Sequence, residues 1–305
     1  MKTGTQLANL DLNLLLSLDA LLQERNVTRA AARLGLSQPA VSAALVRLRR
    51  HFGDELLIRV GNHYELTPLA GYLVERAGVA LSSVERVFDA VPEFDPATST
   101  REFQLVMSDY AISVLGRAIS ATIEQTAPNV RLRLQQPTVD SVDQAAETLR
   151  MMDGMVLPHG FITDLPHLDL YSDVWVCIVS ASNDAIGDAL TMADLAELPW
   201  VLTYSRPTAY TPAARQLGLL GIEPRTPIVV DSFFCVPSLI GGTNRIALLQ
   251  ARLAAQLAPI LGIRVLPCPF DAVPLVEALW WHPMYGHDPA HRWLRGLLSD
   301  AGGSI

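Results

Sequence analysis

Gln38, Pro39, Ser42 and Ala43 sit close together in a stretch whose residue types suit contact with nucleotides. A helical step of about 100° per residue gathers these four on one side, and puts Val41, Leu45, Leu48 and Phe52 on a stripe about a third of a turn away. One face packs and the other is free. Glutamine can read a base edge with two hydrogen bonds, serine donates or accepts, and alanine offers a methyl group to thymine. The free face lacks the Glu/Lys pairs of an ordinary solvated helix. Arg47, Arg49 and Arg50 follow at its far end, where guanidinium groups would hold phosphates.

The flanking residues position that face. Ser37 is a helix N-cap and Pro39 falls in the first turn, where its missing N–H is harmless. A shorter helix precedes it, with Thr28 as the expected N-cap, the small residues Ala30 and Ala31 beside Leu34, and Gly35 as a left-handed C-cap. A helix–turn–helix is also a common packing motif in all-helical domains. The charge distribution favours a polyanion: seven arginines face two acids between Arg25 and Arg59, whereas Pro92 to Ile305 holds 13 basic and 22 acidic residues. Residues Asp11 to Glu24 predict a bracing first helix. The runs Leu56–Arg59 and Tyr64–Leu66, separated by Gly61 and Asn62, predict a hairpin wing with Arg59 and His63 near its tip.

Thr67 and Pro68 open a long helix. Leu69, Leu73, Ala77, Ala80, Val84, Val87 and Val91 recur at spacings of four and three, the pattern of a coiled-coil seam. Dimerisation through Leu73, Ala77, Ala80, Val84 and Val87 is expected, the alternative being packing against the helix's own domain.

The run of small residues, Gly35, then SQPAVS, continued by Gly53, Arg59, Thr67 and Pro68, resembles the N-terminal domain of LysR-type transcriptional regulators. The resemblance implies an all-α winged helix-turn-helix over residues 1–67, a linker helix over 68–91, and a two-lobed α/β effector-binding domain over 92–305 like periplasmic solute-binding proteins. Lobe 1 would take about 100–168 and 270–305, and lobe 2 about 169–269. The expected DNA-binding residues are Thr28, Gln38, Pro39, Ser42, Ala43, Arg47, Arg50 and Arg59. The expected partners are a partly palindromic double-stranded operator, a second copy in a homodimer or homotetramer, and RNA polymerase. Asp153, before an apolar strand and Pro158, matches a recurrent position of the family, and the segments FFCVPSLIGGTNRIALLQARLA, LPCPF and HPMYGHDPAHRWLR look most like the nodulation-gene and aromatic-degradation branch.

Beyond Pro92 and Pro96 the pattern alternates strand and helix, which predicts α/β units on a mainly parallel sheet. Strands are expected at Arg101–Met107, Val130–Leu134, Gly154–Leu157, Val174–Val179, Trp200–Tyr204, Pro227–Val230, Val265–Pro267 and Leu275–Trp281. Ser141–Arg150 is expected as one helix. Ligands in such sheets sit beyond the carboxyl ends of strands. By resemblance the effector touches Ser108; Tyr110, His159, Phe161, Thr203, Tyr204 and Phe233 are the other expected wall residues. Aromatic walls with few cations suggest a small aromatic or apolar effector, a weak acid included.

The chain, 305 residues of which half are apolar, suffices for two or three cored domains, and no apolar run reaches the roughly 18 to 20 residues of a membrane span. Cys177, Cys235 and Cys268 are scattered singly, which fits buried structural thiols in a reducing cytoplasm better than a disulfide framework or thiolate metal site. His287 and His291 have i, i+4 spacing near His282, but no nearby Cys or Glu completes a metal set. No nucleophile elbow, phosphate-binding glycine fingerprint or H-E-x-x-H run is present. Neither cofactor, metal nor enzymatic activity is expected. The rival reading is an α/β enzyme or solute-binding protein carrying a helical dimerisation module.

Overall fold

The computed structural model describes residues 11–61, 63–88, 93–204 and 210–305. The chain divides into two compact units, residues 1–90 and 91–305. In the first, α1 (Leu12–Glu24), α2 (Val27–Leu34) and α3 (Gln38–Phe52) precede a two-stranded wing, β1 (Leu57–Val60) and β2 (His63–Leu66), and the long α4 (Pro68–Phe88). Helix α1 packs against α2, α3 and α4. Leu18, Leu21, Ala30, Ala31, Val41, Leu45, Leu48, Leu56 and Ala77 share its core. Ala30 and Ala31 keep the α2 surface shallow, which lets neighbouring helices approach closely.

The cap before α2 is Asn26, not Thr28: its side chain accepts from the Arg29 amide at 3.0 Å. Thr28 lies inside the first turn and is exposed. Asn26 comes first in the chain and closes the turn in the same way a threonine would. Gly35 and Gly53, with φ of 65° and 63°, end α2 and α3 in the left-handed conformation.

The second unit has two five-stranded sheets. The first, in the order β4 (Arg131–Gln135), β3 (Glu102–Met107), β5 (Gly154–Pro158), β12 (Leu275–Trp280) and β6 (His167–Asp173), carries α5 (Asp109–Thr126), the short α6 (Val139–Asp143) and α7 (Ala145–Met151), and the final α12 (Pro289–Gly303). The second runs β11 (Ile263–Pro267), β7 (Trp175–Ser180), β10 (Ile246–Gln250), β8 (Pro199–Thr203) and β9 (Arg225–Val230). Its helices are α8 (Met192–Glu197), α9 (Pro212–Leu219), α10 (Val236–Ile240) and α11 (Ala251–Leu261). The chain crosses between sheets at Val174 and again between Pro267 and Leu275.

Several expectations change. The sheets are mixed rather than mainly parallel, because β12 returns antiparallel to β5 and β6, while β7 lies antiparallel to β10 and β11. Strands β6 and β10 were not foreseen. β6 pairs with β12, so the first lobe extends to Asp173 rather than 168. The helix expected at Ser141–Arg150 is two helices meeting at Gln144. Cys177 on β7 and Cys268, just past the end of β11, bring their sulfurs to 3.9 Å, and Cys235 is exposed rather than buried.

Arg101 ties the first lobe together. It ion-pairs with Asp153 and Asp288, each at 3.0 Å, while Asp153 accepts from the Gln104 amide at 2.8 Å. Burial pushes the Asp288 carboxyl up, but Arg101 and the amides of Ala290 and His291 outweigh it and hold it below its ordinary range. His291 is buried with Nε2 2.6 Å from the Asp153 carbonyl oxygen, and desolvation lowers its pKa.

Gly302 marks where α12 meets β6: a Cβ there would overlap the Leu170 carbonyl oxygen and lie 2.9 Å from its carbonyl carbon. The obstacle is backbone, so neither rotamer change nor repacking relieves it. Gly302→Ala should therefore destabilise the second unit by about 1–3 kcal/mol, read as a shift in a denaturant midpoint. Gly303→Ala, whose Cβ would meet no heavy atom within 4 Å, is the matched control and should leave that midpoint nearly unchanged.

Candidate nucleic-acid interface and ligand cleft

Helix α3 is fixed on one side and open on the other. Val41, Leu45 and Leu48 are 0%, 7% and 3% exposed, and Phe52 packs partly against the same core. Gln38, Pro39 and Ala43 are exposed, and Ser42 is half-buried. The Ser37 hydroxyl caps the helix by accepting from the Ala40 amide at 3.4 Å.

The arginines divide by role. Arg50 is exposed at the end of α3. Arg47 is also exposed but lies 3.1 Å from Asp11. The Asn13 amide, together with Arg47, holds the Asp11 carboxyl below its ordinary range. Arg49 is turned to the wing: Nε donates to the Glu55 carbonyl at 2.8 Å and a terminal nitrogen to the Leu57 carbonyl at 2.9 Å. It clamps wing to helix instead of standing free for phosphate. Arg59 is exposed on β1, with Nε 3.2 Å from the Gly61 carbonyl oxygen.

The seam on α4 is split. Leu73 and Ala77 pack into the core of their own unit, Ala77 being 3% exposed, while Ala80 and Val84 are half-exposed. The Val87 side chain and Val91 lie outside the described residues.

In the second unit a cleft of ≈520 Å³, counted to its open mouth, lies between the lobes. Val139, Val142, Leu157 and Leu275 supply aliphatic walls; Phe161, Trp175, Tyr204 and Phe233 supply rings. Ser108, Thr138, Thr211, Gln250 and Glu277 are the polar lining. Ser108, which follows β3, caps α5 by accepting from the Ala111 amide at 3.1 Å. Two contacts join the lobes beside the cleft. Asp109 accepts from the Ser232 hydroxyl at 2.6 Å and from the amides of Phe233 and Phe234 at 3.2 and 3.3 Å. Arg215 on α9 stacks over Phe161 at 4.9 Å and donates to the Gly160 carbonyl at 3.0 Å.

Of the expected wall residues, Ser108, Phe161, Tyr204 and Phe233 line the cleft. Tyr110 does not: it is fully buried and donates to Asp173 at 2.7 Å. His159 turns outward to Asp169, 2.6 Å away, and packs edge-on against Trp280. Thr203 lines a neighbouring cavity that shares Trp175, Thr211 and Phe233 with the first. Trp175, Gln250 and Glu277 were missed; a glutamate inside the apolar run LVEALW was the one local signal. The spaced histidines do not converge: His291 is buried on Asp153, and the His282 ring nitrogen accepts from the Met284 amide at 3.2 Å. No helix among the described residues is long and apolar enough to cross a membrane.

Two family profiles match. "Bacterial regulatory helix-turn-helix protein, lysR family" covers residues 12–70, and "LysR substrate binding domain" covers residues 97–303. Nodulation protein D 2 of Rhizobium tropici is 34% identical over 293 residues, 95% of this chain and 92% of the relative. Nodulation protein D 2 of Bradyrhizobium diazoefficiens is 36% identical over 295 residues, 95% of this chain and 88% of the relative. A Pseudomonas aeruginosa crystal structure described as a probable transcriptional regulator aligns with a TM-score of 0.73 at 28% identity, covering 96% of this chain and 98% of that one. CbnR in complex with its target DNA aligns with a TM-score of 0.67 at 20% identity, covering 97% and 99%, a likeness of fold. These matches span both units and support a regulator rather than an enzyme or solute-binding protein with an added module. The chain belongs to the LysR family of transcriptional regulators, with a helix-turn-helix DNA-binding domain and an effector-binding domain.

Proposed function

We propose that α3 lies in the major groove of a partly palindromic operator and that an aromatic effector in the cleft resets the operator-bound oligomer. The observation that carries the DNA assignment is the two-sided burial of α3, with Gln38, Pro39 and Ala43 exposed over a fully buried stripe. Gln38, Ser42 and Ala43 read base edges, with Pro39 beside them. Arg47, Arg50, Arg59 and Thr28 hold phosphates.

Two copies present two reading helices to two half-sites. Since Leu73 and Ala77 serve their own core, the interface falls to Ala80, Val84 and Val87. Leu12 and Leu16, 56% and 45% exposed on α1, add apolar surface. The dimer, or a tetramer built from it, acts in the cytoplasm without enzymatic chemistry and contacts RNA polymerase. The rings of Phe161, Trp175, Tyr204 and Phe233 support an aromatic effector.

Fluorescence anisotropy with the DNA flanking the protein's own gene tests the DNA assignment. Gln38→Ala should lower discrimination at one base position by about 1–3 kcal/mol. Arg50→Ala and Arg59→Ala should each weaken all duplexes and reduce the salt slope by about one. Unchanged sequence preference in Gln38→Ala would refute the reading face. A thermal-shift panel of small aromatics tests the cleft: a ligand at about a hundredfold over Kd should stabilise the protein by roughly 2.7 kcal/mol. Phe161→Ala should abolish that shift, whereas Tyr110→Phe, outside the lining, should keep it while lowering the baseline Tm. The reverse pattern would remove the ring wall from the site.

A further inference from the structure

Three polar side chains of the cleft each carry a buried atom that is unpaired among the described residues. Trp175, Gln250 and Glu277 are 5%, 2% and 3% exposed, and all three line it. Among the described residues, Trp175 Nε1, Gln250 Oε1 and Glu277 Oε2 make no hydrogen bond. Buried polar groups are nearly always paired, so three orphans on one cavity point to something outside the chain that completes them. Other buried indoles behave ordinarily: Trp200 donates to the Leu195 carbonyl at 2.8 Å and Trp280 to the Leu157 carbonyl at 2.9 Å. The fold creates the cluster, since Gln250 and Trp175 face each other across β10 and β7, and Glu277 lies opposite both Pro158 and Tyr171 on β12.

The chemistry is specific. The indole donates, the amide oxygen accepts, and the carboxyl does either according to its proton. Burial first, and the Asp173 carboxylate on β6 second, push Glu277 up to about 8. Tyr171 on β6 and Tyr204 after β8 are its other titratable neighbours, both themselves raised by burial. Arg252 on α11 interacts with Tyr171, and its guanidinium reaches the Ile305 carbonyl at 3.5 Å. None of the described lining residues is Lys, Arg or His. A carboxylate ligand would therefore bring a second acid into an apolar cleft beside the first, with no cation among the described lining residues to offset it.

We infer that Glu277 makes the cleft select uncharged ligands whose buried end carries both a hydrogen-bond donor and an acceptor, such as an amide or hydroxyl, against carboxylates of the same shape. The inference rests on the proposed reading of the cleft as the effector site. The Trp175 N–H meets the ligand's acceptor, and Gln250 Oε1 takes its donor. Glu277, holding its proton, completes the set as a neutral acid.

Matched aromatic pairs test this on the full-length protein: benzamide with benzoate and cinnamamide with cinnamate, by calorimetry between about pH 6 and pH 9. The carboxamides should bind at least about tenfold tighter than the carboxylates. Their affinity should weaken above the Glu277 midpoint, approaching about tenfold per pH unit as the proton leaves. Glu277→Gln, neutral at every pH, should remove that slope and narrow the preference. Carboxylates binding as tightly as carboxamides, or a slope unchanged in Glu277→Gln, would overturn the inference while leaving the aromatic cleft standing. If no member of the panel binds, the aromatic reading is the one that falls. The 13C titration of the Glu277 carboxyl, assigned by difference with Glu277→Gln, then decides separately: a midpoint near 8 upholds the neutral acid, and one below about 5 overturns it.

Discussion

The double crossing of the chain between its sheets decides which side chains share the cleft. β6 passes into β7 through the single residue Val174, and β11 returns to β12 across a short segment. Two passages through the same region bring the ends of four strands together. Asp173 accepts from the amides of Val174 and Arg252 and from the Tyr110 hydroxyl, so the crossing is stitched internally. Trp175, Gln250 and Glu277, just beside it, are left facing the cavity. Structural and ligand-facing polarity thus arise from the same strand ends, sorted by whether a backbone partner lies within reach.

The DNA-binding unit obeys a simpler constraint. A helix can offer one face to a groove only if the other is held without play. The alanines of α2, the buried stripe of α3 and the brace of α1 provide that hold. Arg49 extends it to the wing. The same arginine counted by sequence as a cation for phosphate is occupied by backbone carbonyls and Glu55. Local charge therefore overstates the positive surface available.

Legibility in the sequence followed the range of the interactions. The limits of α3, its cap at Ser37, the stop at Gly35 and the opening of α12 by Asp288 are set by contacts a few residues apart, and period and cap chemistry suffice to read them. Asn26 and Thr28 differ only in which of two competent oxygens reaches the turn. The period of the α4 seam cannot say that Leu73 and Ala77 pack into the core of their own unit. Ser108, Phe161, Tyr204 and Phe233 follow from the rule that ligands gather at strand ends. His159, at another strand end, is drawn away by Asp169, which sits ten residues along on β6, a strand the sequence pattern did not reveal. Glu277 and Gln250 meet only through the crossings, so no local pattern contains their encounter.

The Asp109 contact across the cleft has a mechanical corollary. One carboxylate at the head of α5 serves three donors from a single turn, Ser232 to Phe234, so parting the lobes at that edge forfeits all three together. Such a fastening is made or lost as a unit rather than bond by bond.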